Sequence, residues 1–221
     1  HNSDRRQRQM CIRDSSTIDH LVVTAPSRAL GVEYVSDRLG VKLVEGGVHP
    51  RMGTHNSLLR LNDHIYLEVI AIDPDSDPPT HPRWFELDQD ANAAQPRLAT
   101  WICRTSDIRQ VVQQMPHDPG PITPMSRGSL EWLITIPQDG SLAMEGAAPS
   151  MIEWKDQHPV DSMPASGCEL RSLELNHSAA SLLRNWLQGI GFRGPLKIND
   201  GSGGTFGISA EIETPKGIVR L

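Results

Sequence analysis

Two residues stand out because of the strands that carry them. His20 lies within Ile18-Asp19-His20-Leu21-Val22-Val23, and Glu68 within Tyr66-Leu67-Glu68-Val69-Ile70. A carboxylate in so apolar a strand must be paired, hydrogen-bonded or metal-bound, since burying it bare costs several kcal/mol. An imidazole and a carboxylate around an open position suit a divalent metal, with a carboxylate free to act as general base. Strict alternation puts Ile18, His20 and Val22 on one face of their strand and Asp19, Leu21 and Val23 on the other. His55, in Gly53-Thr54-His55-Asn56, is a third candidate. If a hairpin at Asn62-Asp63 pairs Leu61 with His64, Ser57 falls opposite Glu68. His55 is then one diagonal away, about 7–8 Å between Cα atoms, on the same face. A one-residue slip would turn it to the other face. Glu153, in Met151-Ile152-Glu153-Trp154, is the fourth candidate. At the matching first-strand position stands Thr100, where a second His would be expected.

The elements that must position these residues repeat. After the first strand, Ser27 is an N-cap for a helix through Arg38 that stops at Gly40. Val41–Glu45 then reads as a strand ended by a Gly46-Gly47 break, followed by strands over Thr54–Leu61 and Ile65–Ile72. Residues 74–96, rich in Pro and Asp, read as an irregular linker. The order recurs with a strand at Leu98–Arg104, a helix capped by Ser106 or Asp107, and strands at Ser129–Pro137 and Ser150–Trp154. This is an internal duplication with modules at 17–73 and 97–155. A third unit over 168–221 repeats strand, helix (Ser178–Gln188) and candidate strands at Pro195–Ile198, Phe206–Ile212 and Ile218–Leu221. The fold class is α+β.

Length and composition bound the rest. The 221 residues carry a net charge of −6, which points to no nucleic-acid or anionic-membrane partner. No apolar run is long enough for a membrane span. Cys11, Cys103 and Cys168 are far apart and form no CxxC pair, so the expectation is free thiols in a reducing cytoplasm. Residues 1–15, aperiodic and rich in Arg, read as a non-native or disordered tail, with a short basic arm as the alternative. The sequence has no dinucleotide fingerprint, Walker A, HExxH or GxSxG motif.

The strings around His20, Gly47-Val48-His49-Pro50, Met52-Gly53-Thr54-His55-Asn56, the Glu68 strand, and Met151-Ile152-Glu153-Trp154 with His158-Pro159 resemble one family. It is the glyoxalase-like domain family of the vicinal oxygen chelate superfamily (glyoxalase, bleomycin resistance, extradiol dioxygenase), and the resemblance covers residues 16–160. It implies paired βαβββ modules forming a curled mixed sheet, a cup with a divalent metal on its floor, followed here by a C-terminal α/β extension. The chemistry implied is that of a metal-dependent lyase, isomerase or dioxygenase acting on a small oxygenated substrate. By the same resemblance His20, Glu68 and Glu153, with His55 or water, would hold Mn, Fe, Ni or Zn, and Glu153 or Glu68 would act as base. His49, Arg51 and Asn56 are the expected substrate contacts, Arg51 as an anion clamp. Thr100 departs from the four-ligand pattern and favours the alternative, a metal-free cup that binds or sequesters a small molecule. A homodimer is left open, and fold alone does not establish activity.

Overall fold

The computed structural model describes residues 16–89, 94–201 and 206–221. The expectation for residues 1–15 lies outside them. Among the described residues no helix is long and apolar enough to cross a membrane.

The first module runs β1 (Thr17–Thr24), α1 (Arg28–Leu39), β2 (Val44–His49), β3 (Thr54–Arg60) and β4 (Tyr66–Ile72). Ser27 caps α1 by accepting from the Leu30 N–H, and Gly40 closes it in the left-handed conformation. The helix lies tight on β4 because Gly31 has no side chain; a Cβ there would fall 2.4 Å from Val69 Cγ1. The second module is β5 (Arg97–Arg104), α2 (Ile108–Val112), β6 (Ile122–Arg127), β7 (Leu130–Thr135) and β8 (Ser150–Trp154). Strand β6 was not anticipated. It carries Pro124, which a ladder tolerates at a sheet edge, and β6 is an edge.

The two modules share one mixed sheet of eight strands in the order β2-β3-β4-β1-β5-β8-β7-β6. Each module pairs its first strand parallel to its last, and the two first strands run antiparallel at the centre. The sheet curls until its two edges nearly meet. A Cβ on Gly47 of β2 would lie 2.8 Å from the Arg127 side chain of β6.

The central strands are apolar on both faces because both are covered. On the convex side Leu21, Val23, Leu67, Val69 and Trp101 pack with α1, α2 and the C-terminal unit. On the concave side Val22, Ile70, Ile102, Ile134 and Ile152 form a second core. Trp84, Phe85 and Leu87 complete that inner core. They come from the segment read as an irregular linker, which here folds back into the cup. Phe85 does so at a positive φ of 59°.

The C-terminal unit is β9 (Glu169–His177), α3 (Ala180–Gly189), β10 (Leu196–Asp200), β11 (Gly207–Thr214) and β12 (Gly217–Arg220), in the order β10-β9-β11-β12. Its element order matches the modules but its pairing does not. Here the first strand lies parallel to the second rather than to the last. The short connection after α3 delivers the chain straight to the neighbouring edge of β9. Its helix and inner strand faces join the convex core, where Phe192 meets Trp101 edge-on at 5.5 Å.

Candidate functional site

The register of β1 departs from strict alternation. Ile18 pairs with Cys103 and His20 with the adjacent Ile102, so Asp19 is an extra residue in a bulge. Ile18 therefore faces the convex core with Leu21 and Val23, while Asp19 stays beside His20. Asp19 is fully buried, and its carboxylate is the hub of a network. Oδ1 lies 2.6 Å from His20 Nδ1; Oδ2 accepts from Trp154 Nε1 and lies 3.0 Å from His158 Nε2. These contacts hold its carboxyl well below the usual carboxylate range, against the opposing effect of burial.

The other ring nitrogen, His20 Nε2, faces Glu68 Oε2 at 3.5 Å. His20 thus sits between two carboxylates, and its ring stacks on Tyr66 at 4.4 Å. Desolvation would lower its pKa, but Asp19 and Glu68 outweigh that and raise it to about 9. Glu68, buried like His20, is likewise held to about 2 by His20, His49 and Asn56 despite desolvation. The pair is a buried ion pair at neutral pH.

Asn56, not His55, stands beside Glu68. Leu61 N–H donates to Ile65 O, and Asn62 Oδ1 accepts from the N–H groups of His64 and Ile65. This side-chain turn lengthens the hairpin by one residue, so Leu58 pairs with Glu68. The diagonal position falls to Asn56, whose Nδ2 donates to Glu68 Oε1 at 2.5 Å. The expected pairing was one residue out. His55 points to the convex side, with Nδ1 3.7 Å from Asp73.

Glu153 also points away. In β8, Ile152 faces the cup, whereas the Glu153 carboxylate accepts from the Ile108 N–H at the start of α2. The same register corrects Thr100. His20 pairs with Tyr66 and Glu68 lies two residues on; Ile102 pairs with Ser150 and Ile152 lies two residues on. The second-module equivalents of His20 and Glu68 are thus Ile102 and Ile152. Thr100 spends its hydroxyl on Gly146 O.

His49, an expected substrate contact, ends β2 and is buried, with Nδ1 3.1 Å from Thr54 Oγ1. Burial lowers its pKa to about 4, so its imidazole is neutral. Arg51 is exposed and lines a different surface hollow with His81 and Gln138.

One contributor was missed. Arg127, at the end of β6, donates from Nη1 to Asn56 Oδ1 at 3.0 Å. Its signal was the Gly46-Gly47 pair, read as a break but lying inside β2. A Cβ on Gly46 would fall 2.1 Å from Asn56 Oδ1, and Gly47 admits the Arg127 stem. Trp84 lines the cavity with His20, His49, Glu68, Arg127 and Trp132, and its buried indole N–H has no hydrogen-bond partner among the described residues. The cavity holds about 20 Å³.

The family profile described as glyoxalase-like domain matches residues 18–191. The chain belongs to the glyoxalase-like domain family. A hypothetical protein from Staphylococcus aureus shares the fold with TM-score 0.56 at 16% identity, over 93% of this chain and 98% of its own. Methylmalonyl-CoA epimerase from Mycobacterium tuberculosis superposes with TM-score 0.41 at 16% identity, over 66% of this chain and 91% of its own. No curated protein matches.

The resemblance read from the sequence implies a divalent metal in the cup. A catalytic transition metal takes about three protein ligands. The cup offers His20 Nε2 and Glu68 Oε2, with isoleucines at the equivalent positions across the sheet, and the described residues hold no cluster of three or more His, Cys, Asp or Glu suited to a metal. The residues present do not fit such a chelate.

Proposed function

We propose that the cup transfers a proton on a small oxygenated substrate, with Glu68 as base, His20 as acid and Asp19 orienting His20. One observation carries this reading: a buried imidazole ring held between two carboxylates, Asp19 at 2.6 Å and Glu68 at 3.5 Å, with the His20–Glu68 pair lining a cavity. Burying such charges is costly unless something uses them, and strongly shifted groups lining a cavity are the mark of a functional site.

At rest, each member of the pair suppresses the other: a carboxylate near pKa 2 is a weak base and an imidazolium near 9 a weak acid. A substrate oxygen entering between Nε2 and Oε2 removes that mutual stabilisation. Both groups then move toward the working range of acid–base catalysis. Glu68 takes the proton from a carbon next to the carbonyl, and His20 stabilises the oxygen on which charge develops. The unpartnered Trp84 N–H offers a second donor to the substrate.

The test is hydrogen–deuterium exchange in D₂O, followed by proton NMR, across α-hydroxycarbonyl compounds and 2-oxo acids. Catalysed exchange in the parent, reduced at least about 100-fold in Glu68→Gln, is the expected result. Exchange untouched by that substitution overturns the assignment.

A second reading is a binding or sequestering cup without turnover. The apolar wall of Ile102, Ile134, Ile152, Trp132 and Trp154 favours it. Tight binding of a panel compound with no exchange in any member would select this reading.

A further inference from the structure

We infer that the substrate is an elongated amphipathic molecule: an anionic, oxygenated head enters the cup, and an apolar body lies in a groove outside it. This rests on the proton-transfer reading for the head alone. The inner cavity, about 20 Å³, has room for a group of about the size of one water. It can take only the reacting end of a molecule.

Beside it, where the two edges of the sheet nearly meet, runs a groove of about 900 Å³. That is the size of a ligand pocket rather than a surface dimple. Its lining mixes apolar Val44, Leu58, Leu130 and Met163 with polar Glu45, Gln157 and Asp161. The backbone of Gly46 and Gly47 leaves that side of the groove low.

Arg127 lines both spaces. Its guanidinium donates to a neutral amide, Asn56, and has no carboxylate within ion-pair distance among the described residues. A cation partnered only by an amide, where the groove meets the cavity, matches a carboxylate head whose hydrocarbon body continues into the groove. His158, on the far side of the groove, lies 3.0 Å from Asp19 and so links this wall to the same network.

The test uses straight-chain 2-oxo acids of three, six and ten carbons, with binding measured by calorimetry and exchange measured separately by NMR. Each methylene laid in the groove is expected to tighten binding about threefold. The ten-carbon acid should therefore bind at least about 100-fold tighter than the three-carbon acid. Leu130→Glu should remove most of that gain. Leu130→Trp, which fills the groove without adding charge, should do the same in a protein whose melting temperature is retained. Arg127→Gln should weaken acids of all lengths.

Affinity that does not depend on chain length, no binding of any acid at millimolar concentration, or a gain that survives both Leu130 variants overturns the inference. Chain-length-dependent binding without exchange upholds the groove while the proton-transfer reading fails. Exchange of the three-carbon acid with no length dependence does the reverse.

Discussion

The two halves of the cup share a strand plan but not a chemistry. In the first module His20, Glu68 and Asn56 face inward; at the positions that the pairing makes equivalent, the second module presents Ile102, Ile152 and Trp132. Both modules keep what the fold needs, the apolar convex face and the parallel pairing of first and last strands. Their concave faces differ. Each charged group kept there must be paired to offset its desolvation, and the first module does this with Asp19, Asn56 and His158. The second module avoids that cost with isoleucine and tryptophan. A symmetric cup would chelate from both walls; this one places an ion pair against an oily wall.

Four predictions would break or sharpen that contrast. The largest effect is expected at Asp19, which has no counterpart in the second module's wall. Asp19→Ala leaves His20, His158 and the Trp154 N–H without their shared acceptor and should cost about 3–5 kcal/mol in denaturant unfolding. Glu68→Ile, which makes the first wall resemble the second, should abolish exchange and move the His20 pKa down toward its ordinary value, read by NMR titration.

The dependence of stability on pH should come from the first wall. Glu68, depressed to about 2, contributes stability that is present above its unfolded value of 4.5 and lost as pH falls through 2. His20, raised to about 9, contributes stability that is present below 6.5 and lost as pH rises through 9. His49, depressed to about 4, costs stability as pH falls below 6.5, because the unfolded chain takes up its proton first. The melting temperature should peak near pH 6.5, and Glu68→Gln should flatten both limbs. The smallest effect is expected at Glu153. Glu153→Gln weakens the cap on α2 by about 1 kcal/mol and leaves exchange unchanged. A large loss of exchange there would reinstate it in the site.

Much of the fold was legible locally. Ser27, Gly40 and the apolar strands specify their elements through short-range chemistry, and two charged residues in apolar strands announced a site. The facing of those strands was not legible, because a single residue decides it. Asn62 accepts two backbone N–H groups and lengthens a turn, which exchanges His55 for Asn56. A bulge at Asp19 keeps that carboxylate beside His20. Glu153 was placed by analogy with a four-ligand cup, and the pairing of β5 with β8 puts Ile152 there instead. Arg127 had no local signal; its role depends on glycines some 80 residues earlier that lie across the closing edge of the sheet. Phe85 was hidden in a segment whose Pro and Asp content describes a loop but says nothing of what the loop covers.

The central claim is that His20 is a buried imidazolium clamped between Asp19 and Glu68. Nitrogen NMR of the histidine side chains tests it most directly. At pH 7.5 both ring nitrogens of His20 should be protonated, with a titration midpoint near 9 that falls in Glu68→Gln. A neutral His20 at pH 7.5, with Nε2 unprotonated toward Glu68, would contradict the ion pair and restore the chelating geometry that the second wall argues against.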